Sequence, residues 1–330
     1  MDLDIVFLGT SASVPTARRA PAAILVRRGG ERLLFDCAEG TQRQLMRSAI
    51  GLPDLEEVFL SHFHADHYLG LPGMLKTFSL RQRELPLTVY GPPGLRELYA
   101  SLKRVIGKLS YPVELEELRA GEALERDGYR ILAFPVHHGV SALGYSIVED
   151  VRPGRFDVEA ADALGVPAGP ERGALQRGES VTLPDGRVLT PDTVLGEPRP
   201  GRCIVIPGDT APVETVRVLA DGADVLIHEA TFSEEERDRA EETLHSTALQ
   251  AGEIALAAGV RLLALTHVSP RYLGKELAEE ACAVFAATVV PRDFDVIEVP
   301  FAERGEPQLV KSGARPDRRP SASDLPVAPA

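Results

Sequence analysis

Ser61-His62-Phe63-His64-Ala65-Asp66-His67 places four potential metal ligands within six residues. A lone histidine in a loop is ordinarily a solvated or hydrogen-bonded side chain. Three histidines and an aspartate at one junction need another account. On extended backbone His62 and His64 point the same way and suit one ion. Asp66 and His67 follow where the chain turns, so they point elsewhere and suit a second. Imidazole and carboxylate together select a divalent ion of borderline softness, and zinc is the usual choice. The apolar run Leu55–Leu60 before the motif reads as a buried strand, and Leu69-Gly70-Leu71-Pro72-Gly73 after it reads as a turn into a new element. The ligands therefore sit on a loop at a strand's end, where side chains converge.

The rest of the chain repeats this placement. Phe134-Pro135-Val136 leads to His137-His138, Val225–Ile227 to His228-Glu229, Leu262–Thr266 to His267, and Cys203–Pro207 to Gly208-Asp209-Thr210. Polar, ligand-type residues at the ends of successive apolar runs describe one active-site edge. The elements that must position them are short strands alternating with helices. Strands are expected at Ile5–Gly9, Ala23–Arg27, Leu33–Cys37, Glu57–Ser61, Thr88–Tyr90, Ile131–Val136, Gly144–Val148, Cys203–Ile206, Val225–His228, Leu262–Thr266 and Val296–Val299. Helices are expected at Thr41–Ala49, Leu95–Ile106, Ser233–Glu242, Thr247–Ala258 and Lys275–Ala287. Strands without a strict helix after each one suggest two sheets packed face to face with helices outside.

Residues 152–201 break this pattern, with eight Gly and seven Pro in fifty residues, far above average usage. A short helical piece, Phe156–Leu164, and a hairpin, Ser180–Thr190, turning at Pro184-Asp185-Gly186-Arg187, are expected inside it. The segment holds too little apolar surface for a core of its own and reads as a protruding arm. The tail 303–330 is rich in Pro, Ser, Ala and charge, and disorder is expected there. One domain, 1–302, with the arm inserted, is the expected organisation.

The net charge of −13 argues against a general nucleic-acid binder. Its distribution softens that objection, because residues 1–110 carry 14 Lys/Arg against 11 Asp/Glu, a net of +3, leaving −16 for the remainder. Lys76, Arg81, Arg83, Arg96, Lys103, Arg104 and Lys108 are opposed in their own stretch only by Glu84 and Glu97. Such a run is either a solvated face or an attractor of phosphates. Cys37, Cys203 and Cys282 are isolated and odd in number, which suits buried thiols in a reducing cytoplasm. Met1-Asp2-Leu3-Asp4 opens straight into a strand, so no leader is expected, and no apolar run approaches a membrane span.

The chain resembles the RNase Z family, the tRNA 3′-processing endonucleases of the metallo-β-lactamase superfamily, from residue 2 to about 300. The marks fall in the family's order: Phe7-Leu8-Gly9-Thr10 with Pro15-Thr16, Leu34-Phe35-Asp36-Cys37-Ala38-Glu39-Gly40-Thr41-Gln42, the His62–His67 motif, His138-Gly139 with Gly144-Tyr145, Gly208-Asp209-Thr210, His228-Glu229-Ala230-Thr231-Phe232, His245-Ser246-Thr247 and Thr266–Tyr272. The His-x-His-x-Asp-His motif alone identifies only the superfamily, whereas the later blocks are specific to RNase Z and its close relatives. The departures are Ala38 where Gly is usual, Val268 where Phe is common, and Ala20 where Asn often follows an Arg.

The resemblance implies an α/β fold, the αββα metallo-β-lactamase sandwich, with segment 152–201 as a tRNA-gripping exosite arm. It implies that His62, His64 and His138 hold one ion, Asp66, His67 and His267 the other, and that Asp209 bridges them. The ions are expected to be Zn2+, two per chain, with Mn2+ or Fe2+ as alternatives. Asp66 also orients the nucleophile. His245 is then free to pass a proton to the departing 3′ oxygen, with Glu229 orienting its ring. His137 becomes a neighbour of the site, and His228 ends a strand as a structural residue. Thr16, Arg18, Arg19 and Arg271 are expected to touch substrate. The implied partner is precursor tRNA, bound by a cytoplasmic homodimer in which one subunit's arm grips tRNA cut by the other. Two readings compete. A small-molecule hydrolase of the same superfamily, acting on a cyclic nucleotide or other phosphodiester, a thioester or a lactone, would have no reason to carry the His245-Ser246-Thr247 block with a long arm. A non-enzymatic RNA-binding module would not need seven metal ligands.

Overall fold

The computed structural model describes residues 1–48, 50–52 and 55–311. Its strands are β1 (Leu3–Gly9), β2 (Ala23–Arg28), β3 (Glu31–Phe35), β4 (Glu57–Phe59), β5 (Leu87–Gly91), β6 (Val113–Glu117), β7 (Ala123–Arg126), β8 (Tyr129–Pro135), β9 (Leu143–Glu149), β10 (Val181–Thr182), β11 (Val188–Leu189), β12 (Cys203–Gly208), β13 (Val225–Glu229), β14 (Leu262–Thr266), β15 (Thr288–Val289), β16 (Val296–Glu298) and β17 (Gln308–Val310). The helices are α1 (Thr41–Arg47), α2 (Ala65–Tyr68), α3 (Gly70–Leu80), α4 (Leu95–Ile106), α5 (Val158–Ala163), α6 (Pro170–Gln176), α7 (Glu214–Leu219), α8 (Arg237–Thr243), α9 (Ala248–Ala258) and α10 (Gly274–Cys282). Two compact units divide the chain: residues 1–122, 133–146 and 204 onward form the first, and 123–132 with 147–203 form the second.

In the first unit one sheet runs β17-β16-β1-β2-β3-β4-β5-β6, and a second contains β15-β14-β13-β12 with the first-unit parts of β9 (143–146) and β8 (133–135). The two faces of each strand divide the work, as a period of two requires. Val6, Leu8, Leu25, Leu34, Val58, Leu60 and Val89 pack into one buried cluster with Leu45 of α1 and Leu71, Met74, Leu75 and Phe78 of α3. The alternate residues face the other sheet. Phe35, Phe59 and Tyr90 stack in a row, with ring centroids 5.0 and 4.7 Å apart. Tyr145 of β9 meets Phe35 and Phe59 at 5.6 and 5.5 Å, and its hydroxyl donates to the Leu60 carbonyl at 2.8 Å. The sandwich expected from the sequence is thereby present, and β12, β13 and β14 lie side by side in parallel.

The segment Leu69–Gly73 departs from expectation, because it opens α3 instead of forming a turn. Pro72 is tolerated there because the first helical turn asks for no intrahelical N–H donor. Gly70 is required for a different reason. Its amide donates to the Cys37 carbonyl at 2.9 Å, and a Cβ placed on it would lie 1.9 Å from the Ala38 carbonyl oxygen. The tail also departs from expectation at its start. Residues 308–310 form β17, paired antiparallel with β16, because Leu309 lies opposite the buried Ile297 in that ladder. The remainder of the expected disordered tail, from residue 312, lies outside the described residues.

The second unit corrects the expectation of an arm without a core. Ala161, Val166, Leu175, Leu183, Leu189 and Val194 are buried together, with Phe156, Leu164 and Val181 packed on them. Apolar residues spaced singly among glycines and prolines show no periodicity, so only the fold reveals that they meet. The helix and hairpin expected from the sequence form here as α5 and β10–β11. Asp157 caps α5 by accepting from the Ala160 amide. A buried pair, Arg202 with both oxygens of Glu149 at 2.7 and 2.8 Å, closes the base.

Replacing Gly70 by Ala forces α3 away from the Cys37-Ala38 backbone. A destabilisation of about 1–3 kcal/mol is expected, seen as a melting temperature several degrees lower. An unchanged melting temperature would show that the close approach is dispensable.

Candidate metal centre and active site

Strand ends deliver the site. Asp36 follows β3 and His62 lies three residues past β4. His138 lies beyond β8, Asp209 follows β12, Glu229 ends β13 and His267 follows β14. His64 caps α2 in extended conformation, and α2 itself carries Asp66 and His67. The turn predicted within the motif is thus a single helical turn, which sends Asp66 and His67 away from His62 and His64.

Two triads form. Ligand atoms of His62, His64 and His138 lie within 4.8 Å of one another, as do those of Asp66, His67 and His267. His64 Nδ1 is 3.0 Å from His62 Nε2 and 3.1 Å from His138 Nε2. Asp66 Oδ2 is 3.7 Å from His67 Nε2 and 3.4 Å from His267 Nε2. Asp209 Oδ2 lies between the groups, 3.3 Å from His67 Nε2, 3.3 Å from His267 Nε2 and 3.9 Å from His62 Nε2. All seven sequence-predicted ligands are brought together, in the grouping the resemblance implies. His245 also falls within ligand distance of His138 with Asp209, and of Glu229 with His267.

The far nitrogen of four imidazoles is tied down, which fixes which nitrogen faces inward. His67 Nδ1 donates to Asp36 Oδ2 at 2.7 Å, and His267 Nδ1 to Thr231 Oγ1 at 2.8 Å. His138 Nδ1 donates to the Leu244 carbonyl at 3.1 Å. Ser61 Oγ, which donates to Asp36, accepts from His62 Nδ1 at 3.0 Å. Every one of these rings therefore presents Nε2 to the cluster. His67 Nε2 is buried with no hydrogen-bond partner. Imidazole nitrogens with fixed tautomers, a buried carboxylate (Asp209), a half-buried one (Asp66) and an orphaned ring nitrogen fit a pair of divalent ions.

Electrostatics agree with that fit. Burial opposes the charge on Asp209, yet His267, His67 and His62 hold its carboxyl well below the usual carboxylate range. Asp66 is likewise held low against its burial, by the His267 hydrogen bond and by His67. Burial and the neighbouring His67 push His62 well below the ordinary histidine value, so it stays neutral. For His67 burial is outweighed by Asp209 and Asp36, which draw positive charge to the spot.

Beside the triads stands a dyad. His245 Nδ1 is 2.8 Å from Glu229 Oε1. Glu229 is buried and accepts from the Thr210 amide at 2.8 Å, Thr231 Oγ1 at 2.5 Å and the Ser246 amide at 3.2 Å. Against burial, Glu229 and Asp209 raise the His245 pKa to about 9. A ring held protonated, with Nδ1 committed to a carboxylate, can give a proton from Nε2.

Other expected residues fare differently. His137 is exposed and contributes backbone, its amide donating to Thr210 Oγ1 and its carbonyl accepting from the Ala211 amide. His228 is buried in β13, its Nδ1 2.8 Å from the Glu229 carbonyl. Arg18 is exposed on the loop after β1, and the Thr16 hydroxyl accepts from the Arg18 and Arg19 amides, closing a turn. Arg19, also expected to touch substrate, is half-buried. Its guanidinium donates to Thr10 Oγ1 and the Pro291 carbonyl, both at 2.7 Å. Arg271 lies over the Phe232 and Tyr272 rings, 3.5 Å from Glu236, with 39% of its side chain exposed. Asp36, Ser61, Thr231 and the Leu244 carbonyl had no assigned role from sequence. Asp36 and Thr231 stand within quoted motif blocks, but the ring nitrogens they hold are distant in the chain.

The comparisons with known proteins follow this geometry. The model of the metallo-β-lactamase superfamily matches residues 17–151. The ribonuclease Z of Methanosarcina acetivorans is 45% identical over 303 residues, 91% of this chain and 99% of that protein. That of Myxococcus xanthus is 49% identical over 271 residues, 82% of this chain and 88% of the other. The crystal structure of the short form of human tRNase Z superposes with a TM-score of 0.66 at 28% identity, covering 90% of this chain and all of that one. A metal-ligand cluster of this kind, on this sandwich, in a sequence this close to those relatives over most of its length, belongs to a member of the ribonuclease Z family.

Proposed function

We propose that this protein removes the 3′ trailer from precursor tRNA by phosphodiester hydrolysis, leaving a 3′ hydroxyl on the tRNA. Family membership supports the endonuclease activity, and one observation carries the mechanism: seven ligand side chains and a His245–Glu229 dyad meet at one set of strand ends. His62, His64 and His138 would hold one Zn2+, Asp66, His67 and His267 the other, with Asp209 between them; Mn2+ and Fe2+ suit the same donors. Such a pair, when bound, lowers the pKa of the attacking water and neutralises charge on the phosphate and the leaving oxygen. Asp66 orients that nucleophile. His245 protonates the departing 3′ oxygen, and Glu229, held by Thr210, Thr231 and Ser246, keeps the ring charged and turned. Arg18 and Arg271, both exposed, are the candidates for contact with the RNA beside the cut. The enzyme is proposed to act as a cytoplasmic homodimer. Among the described residues no helix is long and apolar enough to cross a membrane.

Purified protein is expected to carry close to two divalent ions per chain, and Asp209→Ala to lose metal and activity together. Metal analysis beside a trailer-cleavage assay checks this, and an active metal-free preparation would end the mechanism. His245→Ala separates proton transfer from ligation. It is expected to keep its metal and bind precursor tRNA while cleaving slower by a factor on the order of 10² to 10⁴. A parallel fall in metal content would make His245 a ligand, as its closeness to His138 and Asp209 also allows.

The insertion supports an RNA substrate over a small one. It contributes none of the seven ligands, and its small core makes it a folded body. Arg177 and Arg187 pair within it, with Glu179 and Asp185, at 2.9 and 2.7 Å, and Arg172 pairs with Asp162. Grip through this unit therefore rests on shape and a few local groups, with remote contacts supplying binding and positioning. Replacing Arg155–Pro200 with a short Gly/Ser linker is expected to leave metal content and hydrolysis of a small chromogenic phosphodiester intact. Cleavage of precursor tRNA should collapse mainly through lost binding. Unchanged tRNA processing would remove the exosite role and favour a small-molecule hydrolase.

A further inference from the structure

Asp293 stands outside every motif discussed, yet it gathers four segments of the first unit. Its Oδ1 accepts from Thr10 Oγ1 at 2.8 Å. Its Oδ2 accepts from the Ala20 amide at 2.7 Å and from Gln44 Nε2 at 2.8 Å. The Arg19 guanidinium closes the group, bonded to Thr10 Oγ1 and to the Pro291 carbonyl. Burial pushes the Asp293 carboxyl up to about 6, against the Ala20 amide, the Thr10 hydroxyl and the guanidiniums of Arg19 and Arg47. A half-buried carboxylate of this kind is costly unless its lone pairs are used, and here both oxygens are engaged.

The group pins both ends of one loop. Between Thr10 and Ala20 the chain leaves β1 and returns, with the Thr10 and Ser11 amides donating to the Ala20 carbonyl at 2.8 and 2.9 Å. At the loop's far side the Ser13 amide donates to Asp66 Oδ2 at 2.8 Å. Ser13 reaches that position at φ 57°, a left-handed conformation that is strained in a non-glycine residue. The loop also grips Val268, the residue after His267, since the Ala12 amide donates to the Val268 carbonyl and the Val268 amide to the Thr10 carbonyl. A strained backbone donor aimed at a carboxylate persists only where its surroundings fix it.

We propose that Asp293 and Arg19 are positioning residues for the reaction: they lock the loop 10–20 so that the Ser13 N–H holds Asp66 at the angle its work requires. The proposal rests on Asp66 being a ligand and orienting group. Arg19, expected from the sequence to touch substrate, on this proposal acts on chemistry through the backbone.

The experiment compares the purified full-length protein with Asp293→Asn and Arg19→Met, measuring kcat and KM for precursor tRNA, melting temperature, and metal retained after dialysis against a chelator. Each variant is expected to lower kcat roughly 10- to 100-fold with KM within about twofold, and to give up about one of its two ions sooner than wild type. Arg19→Lys, which retains a donor for Thr10, should recover most of the lost kcat. In an Asp66→Ala background neither substitution should lower kcat further, since the Ser13 N–H then has no side chain at 66 to hold. A raised KM with kcat and metal intact would make Arg19 a substrate contact and overturn the proposal. A lower melting temperature with kcat and metal unchanged would overturn it in favour of a purely structural role. Should Asp293→Asn fail to fold, the Arg19 pair of variants decides alone. Wild-type protein with no bound metal would sink the metal reading itself, and the coupling of kcat between Arg19 and Asp66 would still report on the loop.

Discussion

Asp209 is a carboxylate taken almost wholly out of water, and the rest of the site follows from what that demands. A buried charge survives only when paired and hydrogen-bonded. Here the partners are imidazoles from three places in the chain, His62, His67 and His267. Each of those rings must in turn have its outer nitrogen satisfied, which brings in Ser61, Asp36 and Thr231. Thr231 holds Glu229, and Glu229 holds His245. The order of dependence runs outward from one carboxylate to the group proposed to move the proton.

Holding so many polar groups at one edge leaves its mark on the backbone. Asp36, Leu244 and His267 take left-handed conformations, at φ 58°, 57° and 53°. Asp36 and His267 follow strands directly, and Leu244 turns the chain so that its carbonyl reaches His138. Asp36 and His267 sit where the chain leaves a sheet at once, Leu244 where it leaves helix α8, and each aims a polar group back at the centre. Strain concentrated at such points is a mark of function.

Much of this was legible in the sequence, because ligand types repeat at the ends of apolar runs. Spacing within the His62–His67 motif predicted its two directions, and the blocks that carry the resemblance contain the side chains that meet at the site. What was illegible shares one cause, which is contact between residues far apart in the chain. Asp36 gives no local sign that it serves His67, and Asp293 none that it serves Thr10 and Ala20. For Arg19 the sequence cannot show that Thr10 and Pro291 lie within reach of its guanidinium. The core of the second unit was missed because Ala161, Leu175, Leu189 and their neighbours follow no period. Gly and Pro in the 69–73 stretch suggested a turn, and the tolerance of a helix's first turn for proline decided otherwise.

The parallel run β12–β14 carries Asp209, Glu229 and His267 on three adjacent strands. Neighbouring strands repeat at about 4.8 Å, a distance set by backbone hydrogen bonds and not by side chains. The site's lateral dimension is therefore a lattice constant of the sheet. Warming agitates side chains gradually, but a hydrogen-bonded ladder holds its spacing until it opens cooperatively. Side chains at the site can shift with temperature, while the spacing of the strands that carry them is held by the backbone ladder.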